Sequence, residues 1–363
     1  MGSPEALHPD RPPTELGALR PGWRERLGLH RVLAPAGSLP QPAWRLDPHA
    51  PVRASELAVA VERISLDAVS FRRLWTDAGG GERAFSRDLL ALVRARGKAH
   101  NPDTDSGGTL LGRVAELGEG AAVERGLVTG DPVVVLASTS AVPLALERVV
   151  AVHPDGADVE VEGRAVVYAA LPIARVPPDL DPRLVVAAAD VAGAPGLVHD
   201  LLPDGGVAVV IGASGNAGLL ACAAARDRGA RVVGIDREVG PLVTTGVAEP
   251  VQADAQDAVA VLEALEAAGV PGADVVAHVA TAPDCEAAAV AAVAAEGTIV
   301  LFSLATSFQR CVNVADVFGK RPRMLIATAL RRHHADLAFD LLRRFPALRE
   351  ELGRRLSTTP RHD

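Results

Sequence analysis

Two hydrophobic periodicities divide this chain. From about residue 24 to 180, short stretches that alternate or run apolar are broken by Gly and Pro. ELAVAVERI (56–64) alternates, LLGRVAEL (110–117) reads as a strand, and PVVVLA (132–137) is an apolar strand introduced by Gly130 and Asp131. RVVAV (148–152) and AVVY (165–168) continue the series. Short strands at this spacing predict a small β barrel. Within it, RAFSRDLLALVRAR (83–96) puts Phe85, Leu89, Leu92 and Val93 at helical spacing, so a helical insertion is expected near 83–97. Beyond residue 183 the pattern changes. Apolar runs at 207–211, 231–235, 274–279, 298–302 and 324–327 are separated by Ala-rich helical runs near 216–228, 255–268 and 285–295, and a last helix covers 335–345. Strands that are apolar on both faces and separated by helices indicate βαβ units and a parallel sheet. The expected fold class is α/β. A β-barrel domain over 23–182 precedes a doubly wound parallel sheet over 183–330, and a helical segment over 331–358 follows. Residues 1–22, rich in Pro and charge, read as a mobile tail.

Composition narrows the function more than the fold. With 363 residues, 48% apolar and 23% charged, the chain can bury two cores and is not wholly disordered. A net charge of −8 repels phosphate backbones, so no nucleic-acid partner is expected. Cys222, Cys285 and Cys311 are too dispersed for a disulfide framework or a zinc cluster, which suits a reduced, cytoplasmic setting. No targeting signal is read, and no membrane span. The apolar run 207–226 is interrupted by Gly212, Gly215, Asn216 and Gly218.

That same segment, VAVVIGASGNAGLLACAAARDRGARVVGID, carries the chemistry. A strand ends at Gly212, Gly215 and Gly218 follow at three-residue steps, and a helix begins. In a Rossmann dinucleotide site the first glycine permits the tight turn. The second lets backbone approach the pyrophosphate, and the third lets the helix pack on the strand. Ser214, Asn216 and Ala217 complete the turn, whose helix N-terminus offers N–H groups to phosphate. Asp236 ends the next strand, where a carboxylate accepts from both ribose hydroxyls. That acid favours NAD; Arg237 beside it leaves NADP possible.

A β barrel followed by a Rossmann half with a Gly-x-x-Gly-x-x-Gly turn resembles the medium-chain dehydrogenase/reductase superfamily, whose barrel is GroES-like. Zinc-dependent members carry a cysteine after the early strand and a His-Glu pair further on. Here those stretches read ISLDAVSF (64–71) and SGGTLLGRV (106–114), and neither holds a metal-ligand set, so no zinc is expected. Within the superfamily, four stretches resemble the L-erythro-3,5-diaminohexanoate dehydrogenase family: LPQPAWRLD (39–47), RGKAHNPDTDSGG (96–108), AADVAGAP (188–195) and LFSLATSF (301–308). The likeness runs over about 28–345. It implies NAD-dependent oxidative deamination at carbon 3 of a 3,5-diamino acid, a reaction of lysine fermentation that leaves 5-amino-3-oxohexanoate and ammonia. It also implies a homodimer or homotetramer. The chain departs from the family's pattern at Asp105, where a glycine stands, and in ATALRRH (327–333), which lacks a Gly- and Tyr-containing stretch. Another amine or β-substituted acid therefore stays open as substrate.

Such a reaction needs a general base of tuned pKa and both a cationic and an anionic anchor for the amino-acid substrate. Asp190, in the apolar run VVAAADVAGAP just before the Rossmann half, is the first candidate base; an N-cap or interdomain hydrogen bond is the alternative. Lys98, His100 and Asn101 lie on a polar loop, where Lys98 would pair with the substrate carboxylate and His100 would shuttle protons, unless they are solvated surface groups. Ser303 and Thr306, with Ser307, follow the strand at 298–302 and are expected at the nicotinamide carboxamide or the substrate. His334, a position where the family also has histidine, is a further candidate, and Trp44 is expected to pack. Two other readings remain. A zinc-free quinone or enoyl reductase shares the fold, and a non-catalytic nucleotide-binding protein would share the turn.

Overall fold

The alternating segment at 56–64 becomes a nine-residue strand with both faces largely covered, and the first half of the chain is built around it. The computed structural model describes residues 22–101, 107–302, 308–326 and 331–356. The chain opens with α1 (Trp23–Arg26), β1 (Val32–Ala34) and β2 (Arg45–Leu46), then β3 (Leu57–Ser65), α2 (Ala68–Asp77) and α3 (Glu82–Arg96). There follow β4 (Thr109–Leu117), α4 (Glu119–Arg125), β5 (Pro132–Val135), β6 (Leu144–His153), β7 (Asp158–Val167) and β8 (Ile173–Arg175). The order β6-β7-β3-β4-β5-β8 is antiparallel throughout. Register shifts in β3 near Val59 and Arg63, and in β6 near Arg148 and Ala151, mark bulges that bend and twist strands. The helical insertion is larger than its periodicity suggested. Besides α3 it includes α2, where Asp67 accepts the Ser70 N–H at 2.9 Å and starts a helix directly after the strand. Phe71, Trp75 and Phe85 stack the two helices together.

The apolar run that holds Asp190, at the start of the second half, forms two helices, α5 (Pro182–Asp190) and α6 (Gly193–Leu201), bent by 57°. The second half continues with β9 (Val207–Ile211), α7 (Asn216–Asp227), β10 (Arg231–Asp236), α8 (Gly240–Thr245), β11 (Glu249–Gln252) and α9 (Ala258–Ala267). Then come β12 (Ala273–His278), α10 (Glu286–Ala292), β13 (Val293–Leu301), α11 (Phe308–Val317) and β14 (Arg323–Ile326), before α12 (Arg332–Arg344) and α13 (Pro346–Arg355). The sheet order β11-β10-β9-β12-β13-β14 is parallel throughout. Its order reverses between β9 and β12, so the crevice outside their carboxyl ends is the place for a ligand. One face of the sheet packs α5, α6, α7 and the C-terminal helices into a core that also takes in Leu111, Val134 and Leu136 of the first half. The other face packs residues of α9, α10 and α11. This is the α/β arrangement expected, a Rossmann sheet joined to a GroES-like β domain through shared apolar core. Among the described residues no single helix is long and apolar enough to cross a membrane.

Candidate active site

Three glycines after β9 do three different jobs. Gly212 has φ +83°, and a Cβ there would lie 2.6 Å from the Ala280 backbone nitrogen across the point where strand order reverses. A Cβ on buried Gly218 would meet the Gly212 carbonyl oxygen at 2.3 Å, so close helix–strand packing requires its absence. Gly215 is exposed, has φ −73°, and its added Cβ would meet nothing nearer than Gly212 O at 3.6 Å. Among the described residues nothing needs bare backbone there; a diphosphate seated on the α7 N-terminus would. Asn216 and Ala217 form the first half-buried turn of that helix. At the end of β10 the half-buried Asp236 accepts the Ser214 N–H at 2.9 Å and the Arg237 N–H at 2.8 Å. Ser214 Oγ donates to the Glu238 carbonyl at 2.5 Å, which pins the turn to the neighbouring strand end. Arg237 is exposed.

Sequence reasoning missed Arg355. From α13 its guanidinium donates to Ser214 O at 2.8 Å and Asn216 Oδ1 at 3.0 Å, while its Nε is held by Glu351 at 2.9 Å. Its signal was only a basic residue in a helix whose packing partner periodicity does not reveal.

Asp190 is the last residue of α5. Burial pushes its carboxyl up, the nearby Asp67 carboxylate adds like-charge repulsion, and together they raise it to about 7. Asp67 was also missed, although ISLDAVSF shows an acid directly behind an apolar strand. Its cap bonds to the Ser70 N–H and hydroxyl fix it where α2 begins.

Beyond Ser70 opens a cavity of about 220 Å³ bounded by α2, α3 and the segment after α3, with Arg73, Asp77, Arg96, His100 and Asn101 in its wall. His100 and Asn101 are buried, not solvated. Arg96 Nη2 lies 2.6 Å from His100 Nδ1, and Arg73 donates to Asn101 Oδ1 at 3.4 Å. Lys98 departs from expectation. Its side chain is fully buried, with Nζ donating to Pro40 O at 3.1 Å and Gln41 O at 2.5 Å. It ties the 39–44 turn down, and the cations in the cavity wall are Arg73 and Arg96. Trp44 is 59% exposed rather than packed inside, with the Arg96 guanidinium 3.7 Å over its ring.

Comparison with known proteins fits this geometry. Residues 30–177 match the family model described as the L-erythro-3,5-diaminohexanoate dehydrogenase N-terminal domain. A curated L-erythro-3,5-diaminohexanoate dehydrogenase of Acetoanaerobium sticklandii is 32% identical over 326 residues, 88% of this chain and 95% of that protein. The chain belongs to the L-erythro-3,5-diaminohexanoate dehydrogenase family. The protein of that name from Fusobacterium nucleatum is 31% identical over 90% of this chain and 96% of its own. Solved structures share the fold at low identity. A quinone oxidoreductase from Coxiella burnetii has TM-score 0.53 at 17% identity, covering 88% of this chain and 90% of its own. The CurK enoyl reductase has TM-score 0.52 at 13% identity, covering 86% and 82%.

The stretch of this diaminohexanoate dehydrogenase family chain matched by the N-terminal model includes Asp67 and the cavity wall, whereas Asp190 and the glycine turn lie beyond it. His334 is a correction. It is fully buried, its Nε2 is 3.1 Å from Asp200 Oδ2, and its ring fills the space beside Gly196. Asp200 lies in the last turn of α6 shortly before β9 starts, at the amino-end side of the sheet and opposite the cofactor crevice, so no catalytic part is assigned to His334. Asp105, Ser303, Thr306, Ser307 and residues 327–330 lie outside the described residues.

Proposed function

We propose that this chain catalyses the NAD-dependent oxidative deamination of L-erythro-3,5-diaminohexanoate, or a close analogue, to 5-amino-3-oxohexanoate and ammonia. The observation that carries this reading is the family membership over nearly the whole chain, joined to a glycine turn closed by Asp236; the Asp190 carboxyl, pushed up to about 7 by burial and by Asp67, suits the base it needs. An amine dehydrogenase needs a base that can take a proton from an ammonium and later from water, and such a base works best with a pKa near the working pH. A quinone or enoyl reductase of the same fold has no such need. Bare Gly215, the α7 N-terminus and Asp236 would hold the dinucleotide, with Asp236 favouring NAD over NADP. The nicotinamide, when bound, accepts the hydride from carbon 3. In the chain, Asp190 would take the proton that leaves carbon 3's amine neutral and release it to solvent. It would then take a proton from the water that adds to the resulting iminium and return it to the nitrogen, so that ammonia departs as the hydroxyl loses its proton to give the ketone. Arg73 and Arg96 would pair with the substrate carboxylate, and Asp77 with the second ammonium. A homodimer or homotetramer remains the expected assembly.

The test is NADH formation from purified protein, 3,5-diaminohexanoate and NAD+, with NADP+ and an enone plus NADPH run beside it. Amine-dependent reduction faster with NAD+ than NADP+ is expected. Consumption of NADPH by the enone without amine turnover, or nucleotide binding without any turnover, would overturn the assignment.

A further inference from the structure

Asp200 Oδ2 lies 3.1 Å from His334 Nε2 and 3.2 Å from His333 Nε2, and the three ligand atoms all fall within 4.8 Å of one another. The two imidazoles come from the first turn of α12 and the carboxylate from the last turns of α6, which α12 packs against. The rings stand nearly perpendicular, 72° apart with centroids 4.3 Å apart, so their Nε2 atoms converge on one oxygen from different directions. Neighbouring ligands of a tetrahedral zinc ion, with bonds of about 2.0–2.1 Å, sit about 3.3 Å from one another. The two separations from Asp200 Oδ2 are close to that edge length, and the imidazole nitrogens lie within 4.8 Å of each other. His334 is fully buried, and its Nδ1 has no hydrogen-bond partner among the described residues, so no fixed neighbour dictates its tautomer. What occupies Nε2 sets it. His333 and Asp200 have half-open side chains, at 56% and 36% exposure, which leaves an ion a route in and room for water. We propose that Asp200, His333 and His334 form a binding site for a divalent transition ion of the zinc class, clamping α12 onto α6 on the side of the parallel sheet opposite the cofactor crevice. The ion would take two imidazole nitrogens, one carboxylate oxygen and a water. Two nitrogen donors exclude the hard cations magnesium and calcium, which take oxygen ligands. Without an outer partner on His334 Nδ1 the affinity should be weaker than that of a site with an oriented second shell by about 10- to 100-fold.

The experiment is calorimetric titration of tag-free, chelator-treated full-length protein with zinc chloride, with magnesium chloride as control, on the wild type, His333→Ala and Asp200→Asn. His333 is half exposed, so its removal leaves packing intact. One zinc per chain in the wild type, at least tenfold weaker binding in each variant, and a zinc-dependent rise in Tm lost in His333→Ala are expected. Equal zinc binding by all three proteins would place the ion elsewhere, at a thiol for example, and overturn the site. So would the lack of saturable binding by the wild type at millimolar zinc.

Discussion

A carboxyl that ionises only near neutrality leaves a mark on stability as well as on rate. Folding raises Asp190 from 3.8 to about 7, so between those values the folded chain keeps a proton that the unfolded chain has released. Stability therefore falls as pH rises through that window and levels off above it, by at most about 4 kcal/mol. Asp190→Asn removes the penalty. Its Tm should exceed the wild type's at about pH 8 and match it at about pH 4. The same substitution should lower kcat/KM by about 10²- to 10⁴-fold if Asp190 is the base. A loss of activity with no pH-dependent gain in Tm would mean that Asp190 ionises normally. Asp67 offers a cleaner readout, because asparagine caps a helix as well as aspartate does. Asp67→Asn should keep α2 while removing the like charge, and the acidic limb of kcat/KM should move to lower pH. An unmoved limb would leave burial alone responsible.

At the scale of elements, the glycine turn separates what the fold needs from what a ligand needs. Gly218→Ala pushes a methyl into the Gly212 carbonyl, so thermal denaturation should show a loss of about 1–3 kcal/mol. Gly215→Ala meets only the Gly212 carbonyl oxygen at ordinary contact distance, 3.6 Å, and its stability should stay within about 1 kcal/mol of wild type. Its affinity for NADH, followed by fluorescence titration, should still fall at least tenfold. If Gly215→Ala binds NADH as tightly as wild type, the diphosphate does not sit on that turn. Strands such as Val207–Ile211 were legible because all-apolar runs leave the backbone of a doubly covered strand little else to do. The α2 helix was overlooked although Phe71, Leu74 and Trp75 in SLDAVSFRRLWTD stand at helical spacing, because it follows the strand directly and its start depends on one side-chain cap. The 183–195 run hid its two helices differently. Apolar residues fill its covered and half-covered positions alike, so the run shows no period, and Gly193 and Pro195, residues common in turns, are among the first residues of α6. Of the candidate site, the cofactor half was readable because its glycines lie within seven residues of one another. The proposed substrate half draws on two groupings, Asp67 with Asp190 and Arg73 with Arg96, whose members lie far apart in the sequence and meet only in the tertiary fold. Lys98 was misjudged for the same reason, since carbonyl partners 57 and 58 residues away leave no trace in the local pattern.

Over the whole molecule, the C-terminal helices bridge the connection between the two halves and the cofactor turn. Arg343 of α12 donates twice to Asp179, at 2.8 Å each, in the segment that joins β8 to α5, and Arg349 donates to the Asp179 carbonyl at 3.2 Å. One turn further on, Glu351 orients Arg355, whose fork reaches Ser214 and Asn216. The position of the barrel relative to the sheet is thus tied, through two short helices, to the peptide that would face the diphosphate. Burial lowers the Arg355 pKa, yet a guanidinium stays charged, so a cation remains beside the turn at any working pH. Removing it should weaken the ground state and the transition state equally, because both hold the same dinucleotide. Arg355→Met is expected to raise KM for NAD+ about tenfold with kcat within about twofold, and to speed amide exchange over 212–218. Arg355→Lys should fall between the two, since an ammonium keeps the charge but cannot span both acceptors as a planar fork does. If kcat drops while KM holds, Arg355 acts on the chemical step instead. If neither moves, the C-terminal helices serve stability alone, and the link from linker to cofactor turn has no functional consequence.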